Sequence, residues 1–351
     1  MEHVPRPPGG KGQVIGLWLG LTLFTLLLVF PIDPTNGPSS RLAAVALLMA
    51  VWWVTDAIPL FATALLPLFL FPLLGIMGGG ETAPIYFNST IVLFIGGFMI
   101  ALTMEKWNLH RRIALNIIHA VGGGPPRIVL GFMLAAAFLS MWISNTATAV
   151  MMVPIGLAIV LKIEDQFGDR SHNFAVALML GIAYGASVGG LTTLVGTPPN
   201  LSFVRIFAIL FPDAPPIAFG QWIVMALPIG TIMLGVAWFF ITQVFYRTPG
   251  EVTVEHEVIN TERQELGPVS FEERWIMGIF VTTAALWVFR VDLNVGLFII
   301  PGWSRLLPFQ GLIDDGTVAI TMASAMFFIP ARNGIGRDTR LMGPDIIPRL
   351  P

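Results

Sequence analysis

Long apolar runs alternate with short polar breaks along the whole chain. Apolar runs cover Val14–Phe30, Leu42–Thr55, Ile58–Met77 and Ser89–Met104. An amphipathic basic stretch, Glu105–Ala120, follows. Two apolar arms, Ile128–Leu139 and Ala147–Leu161, flank a polar tip at Ser144, Asn145 and Thr146. A further arm, Asn173–Leu191, is separated from Leu201–Phe211 by the break Gly-Thr-Pro-Pro-Asn at 196–200. Trp222–Phe245, Trp275–Phe289 and Thr317–Ile329 complete the apolar set. A bilayer's hydrocarbon core takes about 20 helical residues, so the pattern predicts membrane-spanning helices. The arms at the tip hold about 12 and 15 residues and are short for a span, which predicts a re-entrant hairpin. The pair around residues 196–200 predicts one interrupted span.

Composition agrees with an all-α integral membrane protein. Of 351 residues, 55% are hydrophobic and 11% charged, and mean hydropathy is +0.78. Soluble domains carry about a quarter charged residues, which this chain lacks. The 36 glycines and 27 prolines predict broken helices and close helix packing in so apolar a chain. There is no cysteine, so disulfides and thiolate metal sites are excluded. A net charge of −2 gives no sign of a nucleic-acid partner. Residues 1–13 read as a cytoplasmic tail rather than a cleaved leader, because no small-residue cleavage site precedes Pro31. With the N-terminus inside and a hairpin that enters and leaves on one face, 15 of the 19 Lys and Arg fall in cytoplasmic segments. Arg41, Arg290 and Arg305 fall outside, and Arg205 lies within a span. That asymmetry favours this orientation over its inverse.

Two constellations could carry chemistry. Ser140 and Ser144 are four apart, on one helical face, and Asn145 and Thr146 follow where the helix must break. Hydroxyls, an amide oxygen and freed carbonyls are hard ligands. With no Asp or Glu at the tip, they suit a monovalent cation, sodium above all. The following helix offers unpaired N–H groups to an anion. The alternative is that these hydroxyls bond back to helix carbonyls or join helices together. The second constellation runs from Gly181 to Asn200. Gly181, Gly185, Gly189 and Gly190 permit close backbone approach, and Pro198 and Pro199 push Thr197 out of helical geometry. Carbonyls near Thr193–Gly196 are thereby expected to be free for an ion; a kinked packing helix is the alternative. The Gly-Thr-Pro-Pro-Asn break has neither the Lys nor the strand of a nucleotide loop. The five histidines are scattered, and Asp56 reads as a helix boundary. Trp107 and Trp222 read as interface anchors, and Glu251–Glu273 as a solvated linker. No nucleophile–base set points to an enzyme, and no cofactor is expected.

Together, Ser144–Thr148 (Ser-Asn-Thr-Ala-Thr), Gly189–Asn200, Ala101–Leu115 and Gly311–Ile320 resemble the divalent-anion/sodium symporter family over Gln13–Ala331. The resemblance implies an inverted-repeat transporter fold, with one hairpin and one broken helix per half. It implies sodium-coupled uptake of dicarboxylates, or related divalent anions, across the plasma membrane by an elevator motion. It also implies a homodimer, with sodium as the coupling ion. Sodium would sit at Ser140, Ser144, Asn145, Thr193 and Gly196. The substrate carboxylate would meet Asn145 and Thr146, with Thr197 and Pro198 beside them. The implied organisation is a tail at 1–13, scaffold spans at 14–125 and a transport hairpin with broken helix at 126–212. A closing span at 213–247, a linker at 248–274, two spans of a second repeat at 275–330 and a polar tail at 331–351 follow. No second Ser-Asn-Thr and no second Gly-Thr-Pro-Pro break occur. The second repeat is therefore expected to be incomplete and the chain a truncated member. That expectation leaves open a non-transporting product with half a site. A related superfamily antiporter or anion exporter is a further alternative, disfavoured by the lack of an acidic residue in either constellation.

Overall fold

The computed structural model describes residues 10–167, 172–247, 257–296, 298–332 and 340–350. Parts of the expected tail (1–9), linker (248–256) and C-terminal segment (333–339) lie outside the described residues. The chain forms two compact units, Met1–Asn88 and Ser89–Pro351.

The first unit holds α1 (Lys11–Val29), α2 (Gly37–Thr55), α3 (Leu60–Ala64), α4 (Leu66–Leu73) and α5 (Gly79–Tyr86). α1 and α2 meet where Gly20 faces Trp52: a Cβ there would stand 2.6 Å from Trp52 Nε1. Trp52 Nε1 donates to the Leu17 carbonyl at 3.2 Å. Asn36 caps α2 by accepting from Ser39 N at 3.3 Å. Asp56 ends α2 in the left-handed region, φ 51°, as a boundary residue should. The expected single run Ile58–Met77 is divided into α3 and α4. Pro67, at the start of α4, has no N–H to continue the ladder across Leu65.

The second unit begins with α6 (Ser89–Lys106), α7 (Leu109–Val121), α8 (Pro125–Ser140), α9 (Asn145–Phe167), α10 (His172–Leu191) and α11 (Pro198–Leu210). α12 (Phe219–Phe239) continues into a π-helical turn at Phe240–Phe245. α13 (Glu257–Glu265), α14 (Phe271–Val288) and α15 (Asp315–Ala325) follow. Between α14 and α15 a two-stranded antiparallel ribbon pairs β1 (Leu293–Asn294) with β2 (Ile299–Ile300). One core joins Ile118 of α7, Phe132 and Leu139 of α8, Met152 of α9, and Phe174 and Ile182 of α10. A Cβ on Gly185 would stand 2.6 Å from the Met133 carbonyl oxygen, so α8 and α10 touch backbone to backbone. A second core joins α6, α14 and α15 through Met99, Met104, Ile276 and Ala323.

Among the described residues, six helical stretches are long and apolar enough to cross a bilayer: Lys11–Val29, Gly37–Thr55, Gly79–Lys106, Asn145–Asp165, His172–Leu191 and Phe219–Phe245. α8, at 16 residues, is short, as expected of the first hairpin arm. The second arm is not: α9 takes in Asn145 at one end, passes the apolar run at the other, and reaches 23 residues.

The acidic stretch is not a plain solvated linker. Its described part holds α13 and the start of α14, and Glu262 of α13 pairs with Arg111 of α7. Glu273 holds Arg112 at 2.7 Å. The described part of the polar C-terminal segment also packs against the rest of the second unit. Leu341, Met342 and Ile346 are buried in the second core, and Trp107 Nε1 donates to the Leu341 carbonyl at 2.8 Å. The apolar side chains of this segment outweigh its polar composition once α6 offers a surface to cover.

Candidate functional site

The tip between α8 and α9 is the four-residue turn Met141–Ser144. α8 ends at Ser140, which is fully buried. Ser144 starts α9, its Oγ accepting from Ala147 N at 3.2 Å as an N-cap. Ser144 O accepts from Thr148 N at 3.0 Å. The backbone N–H groups of Asn145 and Thr146 then find no acceptor among the described residues. Ser140 Oγ donates to Asn145 Oδ1 at 2.5 Å, which closes the tip on itself and fixes the carboxamide. The other end of that carboxamide, Nδ2, donates to no described group.

The break at 196–200 comes up against this tip. Thr197 is extended, φ −149° and ψ 140°, and stands at the N-cap of α11, with proline in the first turn. Its hydroxyl makes no capping bond. The loop before it is pinned by Thr193, whose hydroxyl donates to the Met141 carbonyl and accepts from Gly196 N at 3.0 Å. Thr193 is fully buried. Gly196 lies in a gap that admits no side chain: a Cβ would stand 2.6 Å from Gly190 O and 2.9 Å from Ser140 O. A Cβ on Gly190 would crowd the Asn145 carboxamide, 3.1 Å from its Cγ. Ser140, Asn145, Gly190, Thr193 and Gly196 are thus brought together, although about 50 residues separate the two segments. Ser144 lies at the same tip, with its Oγ committed to the cap.

The nominated carboxylate residues are more open. Thr146 and Pro198 are exposed, and Asn145 and Thr197 are half-buried. The oxygens suited to a small cation therefore lie deeper than the N–H, amide and hydroxyl groups suited to an anion. The α9 N-terminus adds its positive dipole end on the anion side.

Three residues have roles that spacing did not reveal. Asn200 is 5% exposed, and its Nδ2 donates to Gly190 O at 2.9 Å and Thr193 O at 2.7 Å. The carbonyls expected to be free near Thr193 thus already share a donor. A carbonyl has two lone pairs, so an ion could still take the second. Trp222, expected at an interface, is instead buried, and donates to Leu191 O at 3.1 Å. Thr148 Oγ1 is buried with no partner among the described residues. Asn200 had a signal, as an amide at the third helical position behind a Pro pair. Thr148 belongs to the Ser144–Thr148 segment that carries the resemblance, whereas Trp222 had no signal.

Comparisons with known proteins place the chain in a family. The model of the sodium:sulfate symporter transmembrane region matches residues 14–342. The sodium-dependent dicarboxylate transporter SdcS of Staphylococcus aureus strain NCTC 8325 / PS 47 is 36% identical over 358 aligned residues. The proteins of that name from strains COL and USA300 are equally similar. Each alignment covers 99% of this chain and 65% of the relative. These relatives are named as transporters, not enzymes, and the six apolar helical stretches fit an integral membrane protein. On the extent of these matches, the chain belongs to the sodium:sulfate symporter transmembrane region family.

Proposed function

We propose that the chain serves sodium-coupled uptake of dicarboxylates across the plasma membrane, and that its tip and broken helix form a sodium site beside a carboxylate site. In this reading sodium lies among Ser140, Ser144, Asn145, Thr193 and Gly196. One substrate carboxylate accepts from Asn145 and Thr146, with Thr197 and Pro198 lining its approach. The observation that carries it is the Ser140–Asn145 bond, held against Gly190 and Gly196. It presents one carboxamide with its oxygen toward the cation side and its NH2 left for an anion. Sodium on the oxygen of that fixed carboxamide would add positive charge and strengthen its NH2 as a donor, and so raise affinity for the anion next to it, which is the coupling a symporter requires. The elevator motion, the homodimer and the cytoplasmic N-terminus belong to the same proposal; the charge asymmetry supports the last.

The family description names sulfate, whereas the similar relatives are named for dicarboxylates. Two carboxylates need two anion-binding ends, and the described tip supplies one, so either anion could occupy it. The test is calorimetric titration of succinate, with sulfate as competitor, into the 351-residue chain in lipid nanodiscs. Binding is expected to contain a component present in sodium and lost in potassium. Asn145→Ala and Thr146→Ala should each abolish that component. If both variants keep it at wild-type affinity, the site lies elsewhere.

A further inference from the structure

Arg205 is the one basic residue placed within a span by the sequence, and a charge at that depth needs a partner or a purpose. No described residue is a hydrogen-bond partner of its side chain, and Arg205 Nε is buried. Buried donors are satisfied in nearly all native proteins. The side chain lines a cavity of about 180 Å³ together with Leu194, Leu201, Arg290, Asp314 and Asp315.

The carboxylates in that cavity are already engaged. Arg290 Nε donates to Asp315 Oδ1 at 2.5 Å, and Phe219 N donates to Asp315 Oδ2 at 3.0 Å. Asp314 Oδ1 caps α15, accepting from Thr317 N at 2.7 Å and Thr317 Oγ1 at 2.8 Å. Its charge is also offset by the dipole end of that helix. Arg290 spends Nε on Asp315 and Nη1 on the Ile313 carbonyl at 2.9 Å, and its Nη2 has no described acceptor. The cavity therefore holds unspent guanidinium donors from two arginines, and one carboxylate oxygen, Asp314 Oδ2, without a described bond.

We propose that this cavity is a second anion site, which takes a small carboxylate on the Arg205 and Arg290 guanidinium groups. A planar carboxylate matches the fork of a guanidinium, and the space exceeds several water volumes of about 30 Å³ each. Leu194 and Leu201 bracket the 196–200 break, so the same loop that approaches the hairpin tip also walls this cavity. The site is distinct from the tip in its residues, its charge and its independence of sodium. The dicarboxylate reading enters only in the choice of succinate as probe.

The experiment titrates succinate into the 351-residue chain in nanodiscs, in potassium chloride without sodium. The expected result is saturable binding that Asn145→Ala leaves unchanged and Arg205→Gln weakens at least tenfold. Arg205→Lys should keep part of it. Asp314→Asn retains the helix cap, because Asn caps as well as Asp, and removes one negative charge, so it should tighten binding severalfold. No sodium-independent binding, or equal affinity in Arg205→Gln, overturns the proposal. Should Arg205→Gln fail to fold by thermal unfolding, Asp314→Asn decides, and unchanged or weaker affinity there overturns it. Loss of the sodium-dependent component in Asn145→Ala is a separate readout, so the two sites succeed or fail independently.

Discussion

At the hairpin tip, neighbouring residues have separable tasks. Ser144 Oγ caps α9, whereas Asn145 Oδ1 accepts from Ser140. Removing the cap hydroxyl with Ser144→Ala should cost about 1 kcal/mol of stability, read as a lower midpoint of thermal unfolding. Asn145→Ala leaves the cap intact and should change that midpoint less, while removing the oxygen and the NH2 offered to the ligands. Equal destabilisation with unchanged binding in both variants would mean that the tip is only a turn. His110 gives a different test, outside the spans. Its Nδ1 lies 3.2 Å from the Met104 carbonyl. Burial holds the imidazole below its ordinary value, Arg111 reinforces that, and the Met104 carbonyl and Glu105 oppose it. The unfolded chain therefore takes up the proton first as pH falls. This contribution to stability is complete above about pH 6.5 and is lost progressively below it. The unfolding midpoint should fall between about pH 7.5 and about pH 5.5, and less so in His110→Gln. The same fall in both proteins would remove His110 from the account.

Among the elements, α7 and the acidic stretch show how charge organises the polar face. Arg112 reaches Glu273 with two nitrogens, at 2.7 and 3.1 Å, and also donates to the Gly267 carbonyl at 3.0 Å. Glu273 in turn accepts from Ser270 N at 2.7 Å, which closes the capping box of α14. The two side chains are 15% and 4% exposed, so this is a buried pair and not a surface one. Glu273→Gln should cost about 3–5 kcal/mol by leaving a guanidinium without its counter-charge. Arg112→Lys should also destabilise, because an ammonium cannot span the carboxylate and the loop carbonyls together. A midpoint unchanged in both would show the pair to be incidental. This docking was hidden from sequence reading for a physical reason: the partners are 161 positions apart. Nothing local distinguishes a glutamate that will be buried by a distant arginine from one that stays in water.

For the whole molecule, what was legible followed from local rules. Apolar length marked α1, α2, α6 and α12, though neither Trp275–Phe289 nor Thr317–Ile329 is among the described stretches long and apolar enough to cross. Pro198 and Pro199 marked the break. Ser140 and Ser144, expected on one helix face, instead end α8 and cap α9 on either side of a turn. The meeting of tip and break was legible only through the resemblance, since no spacing rule joins Asn145 to Gly190. The length of α9 was misjudged because helix geometry continues past the apolar run into Lys162 and Asp165, where water can solvate the side chains. The docking of the polar C-terminal segment was not legible, because composition averages Leu341, Met342 and Ile346 with their charged neighbours. The chain spans 65% of the length of the similar relatives. The central claim is accordingly best tested on what we propose the described site does by itself, which is to hold sodium. Binding of radiolabelled sodium to the 351-residue chain in nanodiscs, against excess potassium, is the most direct measurement. The account predicts saturable, sodium-selective binding that Asn145→Ala and Ser140→Ala each abolish at a nearly unchanged unfolding midpoint. Full sodium binding in both variants, or none in the folded wild-type chain, would contradict it.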